Sequence, residues 1–244
     1  MTVLLYHYPK STCSAKVRLM LAEKGVAYES QIVDLTKGEQ LSASYLEINP
    51  NGVVPTLVHD GRAVRDSSVI CEYIDEVFEG PKLTPETAVN RAAMRTWMRY
   101  LEEVPTVANR VLSFKKVFMR RLAALQIENY SAMAMKMPIR KHFMLAMRTD
   151  NPNHQSERDA LEQMALCLSR IERAIKAEGP YLLGQDLSIA DIVILPILVR
   201  LSDLELSEMW DNLPGVSKFL ETLSARPSFA AAYFDGTRIA LPKA

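Results

Sequence analysis

The sequence is short of cysteine, glycine, net charge and long apolar runs, and each shortage excludes something. Its 244 residues hold three cysteines, Cys13, Cys71 and Cys167, with no C-x-x-C pair. That excludes a disulfide framework and fits a reducing compartment. Nine glycines and thirteen prolines are too few for a collagen-like or linker-rich chain. Basic and acidic residues number 29 each, so the formal charge at pH 7 is zero. Non-specific nucleic-acid binding needs a positive footprint that a neutral chain lacks, so no nucleic-acid partner is expected. The most apolar stretch, Ile189 to Val199, is broken by Asp191 and Pro196 and falls short of a membrane span. The first residues carry no basic segment ahead of an apolar one, so the expectation is a cytoplasmic protein without a leader. His7, His59, His142 and His154 lack metal-ligand spacing, and there is no phosphate loop or dinucleotide fingerprint. No metal is expected.

What is there falls into two parts of different period. In residues 1–80, Val3 to Tyr6 is a short apolar run and Ser14 to Glu23 has helical spacing, stopped by Gly25. Tyr28 to Val33 alternates as a strand does. Pro55 to His59 is a further strand, and Asp60-Gly61 signals a hairpin into Ala63-Val-Arg. Ser67 to Phe78 is again helical. The order β-α-β-(short helix)-β-β-α predicts a small mixed α/β sheet with helices on its faces. Gly80-Pro81-Lys-Leu-Thr-Pro85 breaks any helix and marks the connection. Residues 88–244 are predicted all-α, with Met94, Trp97, Met98 and Leu101 forming one face and Leu161, Met164, Leu168, Ile171 and Ile175 another. Ser188-Ile-Ala-Asp191 reads as a capping box, a folding signal.

Chemistry concentrates at the start of the first helix. Ser11, Thr12, Cys13 and Ser14 sit where free amides and the macrodipole favour an anion. Such a site holds a thiolate, whether the protein's own or a ligand's. Taken alone, the hydroxyls only cap the helix and Cys13 is a small apolar residue. A second cluster adds to them. Asn51-Gly-Val-Val54-Pro55-Thr opens a strand, and a cis proline there leaves the Val54 amide and carbonyl open to a peptide-like ligand. Asp66-Ser67 opens another helix, whose amides suit a carboxylate.

In this order the motifs resemble the glutathione transferase superfamily. The resemblance rests on Ser11-Thr-Cys-Ser-Ala-Lys-Val-Arg, Asn49-Pro-Asn-Gly-Val-Val-Pro, Asp66-Ser-Ser-Val-Ile, Gly179-Pro-Tyr-Leu-Leu-Gly and Leu187-Ser-Ile-Ala-Asp-Ile. It implies a thioredoxin-like first domain over 1–80 that binds glutathione, and a helical bundle over 88–244 that binds the electrophile. It implies that Val54, beside Pro55, pairs with the cysteinyl backbone of glutathione, that Asp66 and Ser67 hold its γ-glutamyl end, and that Gln40 lies near its glycyl carboxylate. The Ser-Thr-Cys-Ser loop looks like the serine-type theta and zeta groups, with Ser11 donating to the thiolate and Thr12 or Cys13 lining the same spot. Val69 to Phe78, Arg91 to Trp97 and the segment ending Met137-Pro-Ile-Arg resemble bacterial lignin β-aryl etherases, a pattern that makes Ser14 a competing candidate. The implied activity is attack of glutathione, the co-substrate, on an electrophilic and aromatic substrate by a homodimer, with β-aryl ether cleavage as its sharpest form. The rivals are a Cys13-assisted isomerase, reductive dehalogenase or disulfide reductase, and a non-catalytic ligand-binding protein.

One segment breaks the neutrality. From Arg110 to Arg148 nine basic residues face one acidic residue, Glu128, so a local charge near +8 is cancelled by the rest of the chain. Met119, Met133, Met135, Met137, Met144 and Met147 share that stretch. Methionine is adaptable packing material, so the segment is a candidate wall of the substrate pocket.

Overall fold

The computed structural model describes residues 2–118, 127–147 and 157–241. Four strands, β1 (Val3–His7), β2 (Glu29–Ile32), β3 (Thr56–His59) and β4 (Arg62–Arg65), form one sheet in the order β2-β1-β3-β4. β1 runs parallel to β2, which requires a crossover, and α1 (Thr12–Glu23) supplies it. β3 and β4 are antiparallel and joined by Asp60 and Gly61, both at positive φ (45° and 78°), the geometry a two-residue hairpin demands. Gln40 lies in a 3-10 turn (Glu39–Leu41), followed by α2 (Ala43–Ile48); α3 (Ser67–Val77) closes this half.

Two features depart from the simple pattern. β2 alternates in sequence yet all four of its residues are exposed on the edge strand of the sheet. In α1 the residues from Ser14 to Leu21 are all buried, Lys16 and Arg18 included. The helix is walled in on every side, so its charged groups need internal partners. Arg18 donates to Ala232 O (2.9 Å) and Pro9 O (3.0 Å) and lies 3.2 Å from His7 Nδ1. Burial, then the Arg18 charge, lowers the His7 pKa to about 4, so the imidazole is neutral; its Nε2 meets Ser30 Oγ at 2.7 Å.

The connection after α3 is pinned. Lys24 Nζ reaches Asp75 (3.3 Å) and Pro81 O (3.0 Å), while Asp75 accepts from the Leu83 and Thr84 amides at 3.0 Å each. The remaining helices are α4 (Ala88–Glu103), α5 (Pro105–Ser113), α6 (Ile127–Met135), α7 (Lys141–Ala146), α8 (Glu157–Glu178), α9 (Ile189–Asp203), α10 (Pro214–Ser224) and α11 (Pro227–Ala232), with a π-helical turn at Phe114–Phe118. α9 is apolar all round and buried from Ile189 to Leu201, the signature of a central helix. Its start is the capping box: Asp191 Oδ2 accepts from Ser188 N (2.8 Å) and Oγ (2.7 Å), and Oδ1 from Leu182 N (2.8 Å). Burial still pushes the Asp191 carboxyl up to about 6. One hydrophobic core runs from Leu5 and Leu57 through Met94 to Val193 and Phe219. Among the described residues no helix is long and apolar enough to cross a membrane.

Candidate functional site

The sheet register gathers the candidate residues at one edge. Tyr6 pairs with Thr56, His7 with Ile32, and Thr56 with Arg65. The loop leaving β1 (Tyr8 to Ser11), the Val54-Pro55 segment entering β3, and Asp66-Ser67 leaving β4 therefore emerge side by side. The path from β2 towards Gln40 starts there too. A small apolar cluster of Val33, Tyr45 and Val54, flanked by Tyr6 and Tyr8, packs beneath them.

At the first helix, Ser11 is the N-cap: its Oγ accepts from Ser14 N at 3.2 Å. Ser14 is wholly buried, and its Oγ accepts from Tyr8 N at 3.3 Å. The two serines thus clamp the loop onto the helix from opposite sides. Ser11, Thr12 and Cys13 face the half-exposed side and Ser14 faces the core. Among the described residues, nothing accepts from the Thr12 or Cys13 amides. These two N–H groups, the dipole end and the Ser11 hydroxyl lie together there, an arrangement that suits an anion.

The second wall is held from below. The Val54–Pro55 peptide is cis. Buried Asn49 donates to Val53 O (2.9 Å) and Thr56 Oγ1 (2.8 Å), and Tyr45 OH reaches the same two atoms at 2.7 and 3.0 Å. Both neighbours of Val54-Pro55 are fixed, while the Val54 amide and carbonyl have no partner among the described residues. Asp66 sits at φ 72°, costly for a residue with a side chain. Its Oδ1 caps α3, accepting from Ser68 N (3.0 Å) and Val69 N (3.2 Å). The amide and hydroxyl of Ser67 are left without a partner among the described residues. Gln40 is 4% exposed and its Oε1 has no hydrogen-bond partner in the described structure, an unusual state for a buried amide.

Charge surrounds the helix start. Lys16 Nζ lies 2.5 Å from Glu102 Oε1, which also accepts from Ser68 Oγ at 2.5 Å, tying α1, α3 and α4 together. Burial opposes the Lys16 charge, but Cys13 and Glu102 outweigh it and hold the ammonium above the usual lysine range. Burial likewise opposes the Glu102 charge, and Lys16 with Ser68 holds the carboxyl below its usual range. Both shifts favour the ionised pair. Arg200 of α9 joins Lys10 O (2.5 Å) to Ser113 Oγ (3.1 Å), anchoring the end of α5 beside the loop. A small, half-open pocket lies between Ser11, Thr12 and Pro196, Arg200 and Tyr233. Cys13 is half-buried; Cys71 and Cys167 are buried free thiols, burial pushing Cys71 far up and Cys167 up to about 12.

Sequence reasoning missed Lys16, Glu102 and Arg200, and Asn49 and Tyr45 as supports. Glu102 carried a signal: it continues the Met94–Met98 stripe at helical spacing, and an acid on a core face implies a buried partner. In the basic segment, Met144 and Met147 join the core, Met133 and Met137 pack against it, and Met135 is exposed. Met119, Arg120, Arg121 and Arg148 lie outside the described residues.

Two family models match, the glutathione S-transferase N-terminal domain over residues 5–82 and the C-terminal domain over 134–227. Protein LigF of Sphingobium sp. (strain NBRC 103272 / SYK-6) is 28% identical over 98% of this chain and 95% of the relative. A probable maleylacetoacetate isomerase of Caenorhabditis elegans is 30% identical over 95% of this chain and 92% of the relative. Among solved structures, beta-etherase LigF from Sphingobium sp. strain SYK-6 has a TM-score of 0.84 at 27% identity, covering 96% of this chain and 99% of that one.

Proposed function

This chain belongs to the glutathione S-transferase family and is an enzyme of that kind, and we propose that it attacks an aromatic electrophile with the thiolate of glutathione held at Ser11–Cys13. The observation that carries the reading is the meeting, at one sheet edge, of unpaired groups of two kinds. The Thr12 and Cys13 amides await an anion, and the Val54 amide and carbonyl await a peptide. In this reading Val54 pairs with the cysteinyl unit, Ser67 at the start of α3 takes the α-carboxylate, and Gln40 faces the glycyl end. Asp66, whose Oδ1 is engaged as a cap, offers its other oxygen to the α-amine.

The Ser11 hydroxyl donates to the sulfur, and the helix end adds its dipole. Together these favour the thiolate by roughly 1–3 kcal/mol, or a fall of about one to two in a thiol pKa near 8.5. The reactive fraction at pH 7 rises from about 3% to roughly 25–75%. The sulfur forms a bond to the electrophilic carbon, and the leaving group departs with the electron pair of the broken bond. For an aryl ether that group is an aryloxide, which takes its proton from water. Ether cleavage is the substrate-level form of the proposal, supported by the likeness to a beta-etherase along nearly the whole chain. A homodimer belongs to the same reading, with exposed Val69, Val77 and Val89 as its apolar contacts.

A second reading has an observation of its own. Cys13 lies half-exposed beside the buried Lys16 ammonium, which suits a thiol that takes part in the chemistry, as in a glutathione-dependent isomerase or reductase. A turnover screen with glutathione and aryl ethers, haloaromatics, maleyl acids and disulfides, run on the Ser11→Ala, Cys13→Ala and Ser14→Ala proteins, separates them. Loss only in Cys13→Ala overturns the serine assignment, and an aryl-ether blank with activity elsewhere removes the etherase form.

A further inference from the structure

Two buried arginines grip successive carbonyls of the loop that leads into α1. Arg18, from α1 itself, donates to Pro9 O at 3.0 Å. Arg200, near the end of α9, donates to Lys10 O at 2.5 Å, and a second guanidinium nitrogen reaches Ser113 Oγ at 3.1 Å. Arg200 is 6% exposed, so both bonds are made away from solvent. Its charge is matched by Asp203, one turn on in the same helix and 3.7 Å from Nε. The same carboxylate accepts from Arg238 and, at 3.2 Å, from Ile239 N, which pins the chain beyond α11 against α9. Arg200 is thus a braced, buried strut from the helical half to the residue before Ser11.

What the strut controls follows from the peptide group it holds. The Lys10–Ser11 peptide is fixed at both ends: its N–H donates to Tyr8 O at 3.0 Å, and its carbonyl accepts from Arg200. The first bond is a local turn between neutral groups. The second is charge-assisted, the stronger kind, and comes from the other half of the chain. The plane of this peptide sets φ of Ser11, which stands at −80° with ψ 125°, the extended conformation of an N-cap. It therefore aims the Cα–Cβ bond that carries the hydroxyl. The Ser11 Oγ accepts from Ser14 N at 3.2 Å, which leaves its proton to be donated outward. A hydrogen bond weakens steeply as its angle closes, so the donor is useful only while the peptide behind it stays in place.

Resting on the transferase reading above, we propose that Arg200 is a positioning residue for the thiolate: through Lys10 O it holds Ser11 where its hydroxyl donates to the glutathione sulfur. It raises the thiolate fraction of bound glutathione without touching glutathione. The helical half thereby acts on the chemistry of the first half through one backbone carbonyl.

The test titrates the near-ultraviolet thiolate absorbance of bound glutathione in a Cys13→Ala background, for Arg200→Met and Arg200→Lys, each with and without Ser11→Ala. A lysine ammonium stops one bond short of the guanidinium nitrogens, so Arg200→Lys keeps a charge beside Asp203 and releases Lys10 O. Both substitutions raise the bound-thiol pKa towards the free value, by about as much as Ser11→Ala does. Neither adds to the shift of Ser11→Ala, the non-additivity of residues that act through one another. Calorimetric binding of S-methylglutathione, which has no thiol to ionise, stays put in both. A folded Arg200→Met protein whose bound thiol titrates as without the substitution overturns the proposal. So does an Arg200→Lys protein that does the same, since charge alone is then responsible, and so does a shift that adds to that of Ser11→Ala. Weakened S-methylglutathione binding shows that Arg200 supports the whole site and not Ser11, which also overturns it. Glutathione that fails to bind, or binds with its thiol unshifted before Arg200 is changed, is a separate result that removes the transferase reading and the positioning role with it. Circular dichroism checks that the variants fold, and Arg200→Lys carries the test if Arg200→Met does not.

Discussion

Replacing Glu102 with alanine leaves the Lys16 ammonium buried with no counter-charge, and Ser68 Oγ without its acceptor. Breaking a buried ion pair from one side costs about 3–5 kcal/mol. The ceiling has a physical origin. A stranded lysine escapes by releasing its proton, which from a pKa near 10.4 costs about 4.6 kcal/mol at pH 7. In a chain of this length the loss corresponds to a fall of roughly 6–20 °C in Tm. The pH dependence identifies the cause. In the Glu102→Ala protein the folded lysine is neutral and the unfolded one protonated, so unfolding takes up a proton and stability rises with pH. Between pH 7 and pH 9 the defect shrinks by about 2.7 kcal/mol, two pH units at 1.36 each. The wild type, whose Lys16 pKa is raised, keeps its contribution below the unfolded value of 10.5 and loses it only as pH rises through the folded one. Removing both charges, in Lys16→Met with Glu102→Leu, is expected to be neutral or stabilising. Urea denaturation followed by circular dichroism at the two pH values measures all of this. A Glu102→Ala protein within about 1 kcal/mol of the wild type, or a defect constant with pH, refutes the reasoning.

Further predictions follow from the same structure. Ser11→Ala removes an N-cap and the hydroxyl donor together, so stability falls by about 1 kcal/mol and kcat/KM drops about tenfold or more, read by denaturation and by initial rates. Asn49→Ala frees Val53 and Thr56, and KM for glutathione rises about tenfold in steady-state assays; an unchanged KM removes Asn49 from the support of Val54. His7, lowered from 6.5 to about 4, contributes stability that is present above pH 6.5 and is lost as pH falls to 4, about 3 kcal/mol in all. Asp191, raised from 3.8 to about 6, acts oppositely across nearly the same window. His7→Gln therefore makes stability fall more steeply with rising pH than in the wild type, and an unchanged slope contradicts the assignment. Of the three thiols only Cys13 is accessible, so iodoacetamide labels Cys13 alone in the native protein and glutathione protects it; mass spectrometry reads both results.

The sequence carried the fold where local chemistry decides it. The Asp60-Gly61 hairpin, the stop at Gly25 and the Ser188–Asp191 box all formed as their residue types require, because each satisfies its own backbone groups within a few residues. The first helix begins at Thr12 instead of Ser14, since the Ser11 cap captures two more residues than apolar spacing reveals. Less legible was everything set by contacts distant in sequence. Lys16 and Arg18 accompany apolar residues as a solvated face does, yet both are buried because Glu102, Pro9 and Ala232 arrive from elsewhere in the chain. The division of labour between Ser11 and Ser14 was equally hidden. Three residues apart on a helix, they differ only through the Tyr8 amide that fastens Ser14 inward. The basic segment was visible as composition, but not that Lys16 is matched by Glu102 and Arg200 by Asp203.

The account turns on an anion site at Ser11, Thr12 and Cys13 that stabilises a thiolate belonging to glutathione. The most direct measurement is a pH titration of near-ultraviolet thiolate absorbance for glutathione bound to the Cys13→Ala protein, which removes the protein's own signal. The account predicts a bound thiol pKa about one to two below the free value near 8.5, moved back towards that value by adding Ser11→Ala. A bound thiol that titrates as it does free in solution contradicts it.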